Sequence, residues 1–289
     1  MAAGLFVGLI TLDCIYRVDH VPSSDEKMVA DDSLLVAGGP ATNAAIAFAA
    51  LGNRARVVGA LGQHPLAALV RAELASYGVE VIDLTPHRAD PPPLSTILVT
   101  AATGDRAVVS RNAVGRQAPA PPAPETLLAD IDTVLIDGHQ MAAGLAVARA
   151  AQGRPAVPIV PVVIDAGSWK PGFEHLLPLA TSAIAAAKFR LPDQSDTLAG
   201  LSALGIAEVA VTHGAYPIQF RHRLPNGTAA GSLPVPQVSV TDTLGAGDIF
   251  HGAFCHYRLQ GSFTEALAQA AQVAARSCGY FGPRAWLRA

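Results

Sequence analysis

Cysteine is scarce in this 289-residue chain, which has only Cys14, Cys255 and Cys278. An odd number without metal-type spacing suggests neither a disulfide framework nor a zinc site, and a reducing cytoplasm fits it best. Charge is also sparse. Asp, Glu, Lys and Arg make up 15% of the residues, the net charge is -3, and no Lys/Arg cluster forms along the chain. The electrostatic footprint of a nucleic-acid binder is therefore missing, and nucleic acid is not expected as a partner. Residues 1–12 are apolar but lack a basic leader and a cleavage site, and they break at Asp13. No run reaches the roughly 18 residues of a membrane span, so neither processing nor a membrane partner is expected. Linkers and internal repeats are lacking as well: the Pro-rich stretches at 91–93 and 119–124 are turn-length, and residues 1–289 are expected to form one domain.

Apolar material is plentiful, at 51% of residues, much of it alanine. Short apolar runs at 5–10, 56–60, 133–136, 159–164, 183–187 and 208–212 have the character of buried strands. Alanine-rich segments at 41–51, 66–77, 142–152 and 197–204 separate several of them and have helical character. Strands alternating with helices predict an α/β fold with a mostly parallel sheet covered on both faces. Two segments depart from this rhythm. Residues 16–36 and 94–110 alternate like strands without a helical period, and the second contains the turn signal Thr103-Gly104-Asp105. They are expected to pair into a small antiparallel flap.

Asp242-Thr243-Leu244-Gly245-Ala246-Gly247-Asp248, followed by an apolar-periodic helix, is the most informative stretch. Gly245, Ala246 and Gly247 let backbone N–H groups approach an anion, and the helix start directs its positive dipole to the same place. Asp248 falls on the first helical turn. A carboxylate beside a phosphate is a poor binding group but a sensible general base for a hydroxyl that attacks the phosphate. A glycine turn with an acidic helix start accounts for the same residues without function. A second glycine turn, Gly38-Gly39-Pro40-Ala41-Thr42-Asn43, opens another helix, and Asn43 offers a donor and an acceptor to a polyol. Polar residues after the apolar runs (Asp13, Asp137-Gly138-His139, Asp165 and Thr212-His213-Gly214) would share the carboxyl edge of the sheet, where open α/β sheets bind ligands.

With both motifs in this order, the chain from Gly8 to Gly282 resembles the ribokinase-like (PfkB) family of carbohydrate and nucleoside kinases. The resemblance implies a three-layer α/β/α domain with a β-sheet lid formed by segments near 14–37 and 94–112, which often mediates homodimerisation. It implies ATP and Mg²⁺ as cofactors, a monovalent ion such as K⁺, and a small sugar as acceptor. Asp248 matches the catalytic base, with Gly245, Ala246 and Gly247 supplying the anion hole. Asp13, Gly39 and Asn43 match the sugar-contacting positions. Asp242 and Thr243 fall near the cation and nucleotide phosphates, Thr212 and Gly214 match the start of the ATP-side loop, and Ala275, Cys278 and Gly279 match the lining of the adenine pocket. Gly104-Asp105-Arg106, Asp137-Gly138-His139 and Phe281-Gly282-Pro283-Arg284 look most like the ketohexokinase-type branch. Arg106 and His139 each admit two readings, as a substrate contact or as an ordinary lid or loop residue.

The chain also departs from the family pattern. The usual Gly-x-Asp-x-x-Gly is Gly62-Gln63-His64-Pro65-Leu66-Ala67, and the magnesium-organising Asn-x-x-Glu is Ala187-Lys188-Phe189-Arg190. No metal ligand can be named from those positions; magnesium would be held through phosphates and water, or Lys188 or Arg190 would touch phosphate. The lysine that some ribose kinases carry in the glycine turn is Pro40, which weakens ribose as the acceptor. A nucleoside kinase would need aromatics near the first motif, where Tyr16 and Phe48 are the candidates. The missing carboxylates also leave open a non-catalytic sugar- or nucleotide-binding descendant of the fold.

Overall fold

The computed structural model describes residues 1–153 and 159–288. In chain order its elements begin with β1 (Ala3–Val7), β2 (Thr11–Val18), β3 (Asp32–Gly38), α1 (Pro40–Ala50), β4 (Arg54–Gly59), α2 (Pro65–Ser76), β5 (Val79–Asp83), β6 (Leu94–Thr100) and β7 (Arg106–Ser110). Next come β8 (Thr133–Ile136), α3 (Met141–Ala151), β9 (Val162–Ala166), α4 (Phe173–Leu176), β10 (Ser182–Ala186) and α5 (Thr197–Ala203). The chain ends with β11 (Glu208–His213), β12 (Tyr216–Leu224), β13 (Gly227–Leu233), α6 (Ala246–Arg258) and α7 (Phe263–Ser277).

The large sheet runs β13-β12-β11-β10-β9-β8-β1-β4-β5. β1 lies inside it. β4 and β5 extend one side and β8 to β11 the other, all parallel, with β12 and β13 added antiparallel at the edge. The order reverses between β1 and β8, so the crevice beyond their carboxyl ends is the place where a ligand is expected. β1 and β9 are buried at every residue, as strands of a sheet covered on both faces must be. Phe6 packs into a core with Phe48, Phe254 and Phe263 on one face, while Leu5 and Val7 join Phe173 and Phe189 on the other. Each such side chain stabilises the fold by roughly 1.5–3 kcal/mol.

α1 is buried continuously from Ala41 to Phe48 because it is sandwiched between the sheet and α6. A Cβ at Gly252 would fall on the Ala44 carbonyl, so α6 and α1 approach almost to backbone contact. Small residues on both helices thus bring the starts of α1 and α6, and with them the two glycine motifs, together.

A second sheet runs β3-β2-β6-β7. It is mixed, not purely antiparallel as the sequence predicts: β2 pairs antiparallel with β3, β6 with β7, but β2 and β6 run parallel. These two strands are joined through the large sheet instead of by a hairpin, which permits the parallel pairing. Strand β2 starts at Thr11, so Asp13 lies within the lid sheet, opposite Val36 and Ser95, and not in a loop after β1. The run at 159–164 becomes a strand only from Val162. Strands β5, β12 and β13 and helices α4 and α7 are additions to the predicted elements.

Candidate active site

Gly245 is the N-cap of α6 with φ 74°, a left-handed conformation that glycine adopts without strain. Ala246, Gly247 and Asp248 follow as the first helical turn, where N–H groups lack partners within the helix. Gly247 is exposed, and the space where its Cβ would lie is open. The Ala246 amide already donates to the Thr243 carbonyl at 3.3 Å, so it must exchange partners to serve an anion.

Asp248 is half-buried at this turn, and its Oδ2 accepts from Asn43 Nδ2 at 2.7 Å across the α1–α6 junction. Burial pushes its pKa up to about 6, with Asp165 adding in the same direction, while Asn43, His251 and Arg106 oppose the rise. His251, one turn along α6, is fixed by Gly247 O at 2.7 Å and lies 3.8 Å from Asp165 Oδ1. The arrangement is a carboxylate that can take up a proton near neutrality beside a helix end with free N–H groups, a combination suited to general-base catalysis next to an anion.

On the lid side Asp13 is 7% exposed and accepts from Thr11 Oγ1 at 2.7 Å. Burial raises its pKa, opposed by hydrogen bonds from Thr11 and Ser95 and by the charge of Arg284. A Cβ at Gly38 would fall on its carboxylate, so glycine there makes room for Asp13. Gly39 caps α1, and Asn43 lies on that helix's first turn. Asp13, Gly39, Asn43 and Asp248 are thereby connected through β2, β3, α1 and α6.

Asp137 ends β8 at the strand-order reversal. It accepts from the Leu9 amide at 2.9 Å, the Ala41 amide at 3.2 Å and the His139 amide at 2.8 Å. Burial alone would raise its pKa, but His139 and these amides outweigh it and hold the carboxyl at about 2. Asp137 therefore joins β1, β8 and the α1 N-terminus. His139, 3.3 Å from Asp137, belongs to this brace.

The loop before α6 is held from two sides. Asp242 is buried, with Oδ1 accepting from Leu244 N and Oδ2 from Gly282 N, each at 2.8 Å. The Cys278 carbonyl at the α7 C-cap accepts from the Thr241 and Asp242 amides, which brings Ala275, Cys278 and Gly279 beside the loop. Thr212 is at the carboxyl end of β11, and Gly214 turns the chain into β12. Arg106, on the lid's inner face opposite Val99, reaches across to Thr243 Oγ1 at 2.8 Å and Thr243 O at 3.0 Å. It is anchored to the loop that leads into α6. Lys188 is exposed just past β10, while Arg190 Nη1 donates to the carbonyls of Ala187 and Phe189.

Two parts of this site depend on partners that no local pattern in the sequence pairs. Arg284 and Glu73 form a partly buried ion pair at 3.1 Å behind Asn43, joining residues more than 200 positions apart. His251 sits beside Asp165 from α6, a placement that only the packed fold reveals. Among the described residues no group of three or more His, Cys, Asp or Glu could hold a metal ion. No helix among them is long and apolar enough to cross a membrane.

The family model described as pfkB family carbohydrate kinase matches residues 2–288. The chain belongs to that family. It is thereby a carbohydrate kinase, a phosphotransferase. It is 26% identical to a ketohexokinase from Mus musculus over 96% of each protein. It is also 26% identical to an ATP-dependent ribose-1-phosphate kinase from Halopiger xanaduensis, covering 98% of this chain and 94% of that one. Among solved structures, a protein from Agrobacterium tumefaciens proposed to be a ribokinase superposes with a TM-score of 0.86 at 27% identity, covering 99% and 94% of the two chains. The kinase has the ribokinase-like fold: the large sheet with its helices, and the small sheet as a lid.

Proposed function

We propose that this kinase transfers the γ-phosphoryl group of ATP to a primary hydroxyl of a small sugar, with Asp248 as the general base. The observation that carries the reading is the placement of Asp248 on the first turn of α6, held by Asn43 next to Asp13 and the glycine turn. Asp13 and Asn43 would bind the sugar hydroxyls, and Asp248 would take the proton of the hydroxyl that attacks. The amides of Gly245, Ala246 and Gly247, with the α6 dipole, would stabilise the charge on the transferring group. Thr212, Gly214 and the segment from Ala275 to Gly279 would flank the nucleotide. The relatives named for ketohexose and for ribose 1-phosphate both support a sugar acceptor.

Magnesium, when bound, would neutralise the phosphate oxygens. No group of three or more His, Cys, Asp or Glu among the described residues could hold it, so the protein would give it few ligands. Phosphate and water would complete the shell, as the small Mg²⁺ ion favours. A K⁺ ion would lie against Asp242, a buried carboxylate whose two oxygens accept from the Leu244 and Gly282 amides. Arg106 reads better as a lid contact to the loop before α6 than as a direct sugar ligand.

A nucleoside acceptor is less well supported. Phe48 is fully buried against Phe6 at 5.4 Å, and Tyr16 lies on the opposite lid face from Asp13, so neither offers a stacking surface to the site. A non-catalytic role gives no account of a base held at a helix N-terminus. The test is ADP release from Mg-ATP across ketohexoses, aldoses, ribose, ribose 1-phosphate and nucleosides, with Asp248→Asn as the blank. Turnover with one sugar class that disappears in Asp248→Asn is expected. Equal turnover in both proteins would remove Asp248 from the mechanism.

A further inference from the structure

Behind the base, Asn43 leads to a partly buried ion pair, Arg284 with Glu73, that the phosphoryl-transfer reading does not use. Asn43 Nδ2 donates to Asp248 Oδ2 at 2.7 Å, and Asn43 Oδ1 accepts from Arg284 Nη1 at 2.9 Å. Arg284 is 9% exposed. Its Nε donates to Glu73 Oε1 at 3.1 Å, Nη2 to Ala37 O at 2.6 Å and Nη1 also to Pro283 O at 3.2 Å. Its guanidinium lies 5.9 Å from the Tyr77 ring. Glu73 Oε2 accepts from the Ala37 amide, so both ends of this ion pair grip the strand that leads into the Gly38-Gly39 turn.

A primary amide has a donor end and an acceptor end, and it can present either one to a neighbour. A guanidinium has donors only. With Arg284 behind it, Asn43 must turn its oxygen towards the arginine and its NH₂ towards Asp248. An NH₂ facing Asp248 favours the carboxylate; the amide oxygen in that place would favour the protonated acid.

We propose that Arg284, held by Glu73, is a positioning residue that fixes the polarity of the Asn43 amide, and so keeps Asp248 deprotonated and aimed at the acceptor hydroxyl. Because the same guanidinium holds the Ala37 carbonyl, it couples the acceptor-binding turn to the base. This inference rests on the reading of Asp248 as the base.

The pH dependence of kcat at saturating sugar and ATP tests it. The other charged groups facing Asp248 are Asp165 from β9, His251 from α6 and Arg106 from β7, and they are unchanged in every variant used. Arg284→Gln should move the acidic limb of kcat upward by about one pH unit and leave the KM for ATP near its original value. Arg284→Lys, which still supplies only donors, should restore part of the shift. Asn43→Leu should produce its own upward shift, and adding Arg284→Gln to it should shift the limb no further. A direct charge effect of Arg284 on Asp248 would persist in the Asn43→Leu background and would overturn the proposal. An unmoved limb in a folded Arg284→Gln enzyme would overturn it too. If Arg284→Gln does not fold, Glu73→Gln, which loosens the arginine without removing it, must shift the limb in the same direction. Loss of turnover in Asp248→Asn with an unmoved limb in the arginine variants would defeat this inference alone. Full turnover in Asp248→Asn would defeat the reading beneath it.

Discussion

At Asp248, catalysis and stability oppose each other. Its folded-state pKa of about 6 lies above the ordinary value of an aspartate, so the folded protein holds this proton more tightly than the unfolded chain does. Its stabilising contribution is complete below about pH 4 and is lost as pH rises through 6. Asp248→Asn removes that loss and should raise stability at pH 7.5 by up to about 3 kcal/mol, with the difference vanishing near pH 4. Urea denaturation at the two pH values measures it, and an Asn variant no more stable at pH 7.5 would contradict the burial argument. In the role proposed for it Asp248 works deprotonated, so kcat should fall as pH drops through about 6. Asp137 behaves in the opposite sense. Held at about 2, it stabilises the fold above pH 4 and loses that contribution as pH falls towards 2. Asp137→Asn should cost about 2–4 kcal/mol at pH 7, because one of its oxygens becomes a donor that faces amide donors. The glycine turns, and the place of Asp248 on the first turn of α6, were legible in the sequence because each motif is local. Arg284 was marked only within the Phe281-Gly282-Pro283-Arg284 resemblance, and its pairing with Glu73 was not legible, since nothing near either residue marks a partner more than 200 positions away.

Among the elements, the lid is joined to the loop before α6 by specific contacts. Arg106 holds Thr243, the position of a Cβ on Gly104 is 2.9 Å from Val240, and Leu244 and Phe281 pack under Ile15, Ile97 and Val99. Breaking the Arg106 contact should loosen closure over the sugar. Arg106→Met is expected to raise the acceptor KM about tenfold, equivalent to ~1.4 kcal/mol, and to increase ATP hydrolysis relative to sugar phosphorylation. Removing that charge also acts on Asp248, so Thr243→Val is the companion: it weakens the latch and leaves the guanidinium in place. An unchanged acceptor KM in both variants would show that the latch does not govern closure. The lid strands and the buried parallel strands were readable from alternation and from short apolar runs. β5 carries Glu80 and Asp83 at the sheet edge, and β12 and β13 are largely exposed, so these strands lack an apolar signature. The parallel pairing of β2 with β6 could not be read locally, because it depends on how the large sheet separates the two segments.

For the whole molecule, the outer face of the lid raises the question of assembly. Leu35, Tyr16 and Val109 are 54%, 37% and 78% exposed, and the register places Leu35 beside Cys14 and Val109 beside Thr96 on the side away from Asp13. The inner face is occupied by the site and by Leu244 and Phe281, so burial within the chain accounts for only one side of this small sheet. A solvated antiparallel sheet ordinarily alternates apolar with polar residues. Here both faces carry large apolar side chains, the pattern of a surface that meets a partner. A second copy pairing lid to lid would cover these residues and stiffen the lid that carries Asp13 and Arg106. Val109→Glu should then shift a dimer to monomer in light scattering at micromolar protein. It should also raise the acceptor KM with little effect on ATP binding, since the residues proposed to flank the nucleotide lie on β11 and at the end of α7, outside the lid. A wild-type enzyme that is already monomeric at that concentration, or a Val109→Glu variant that remains dimeric, would rule out lid-to-lid assembly through this face.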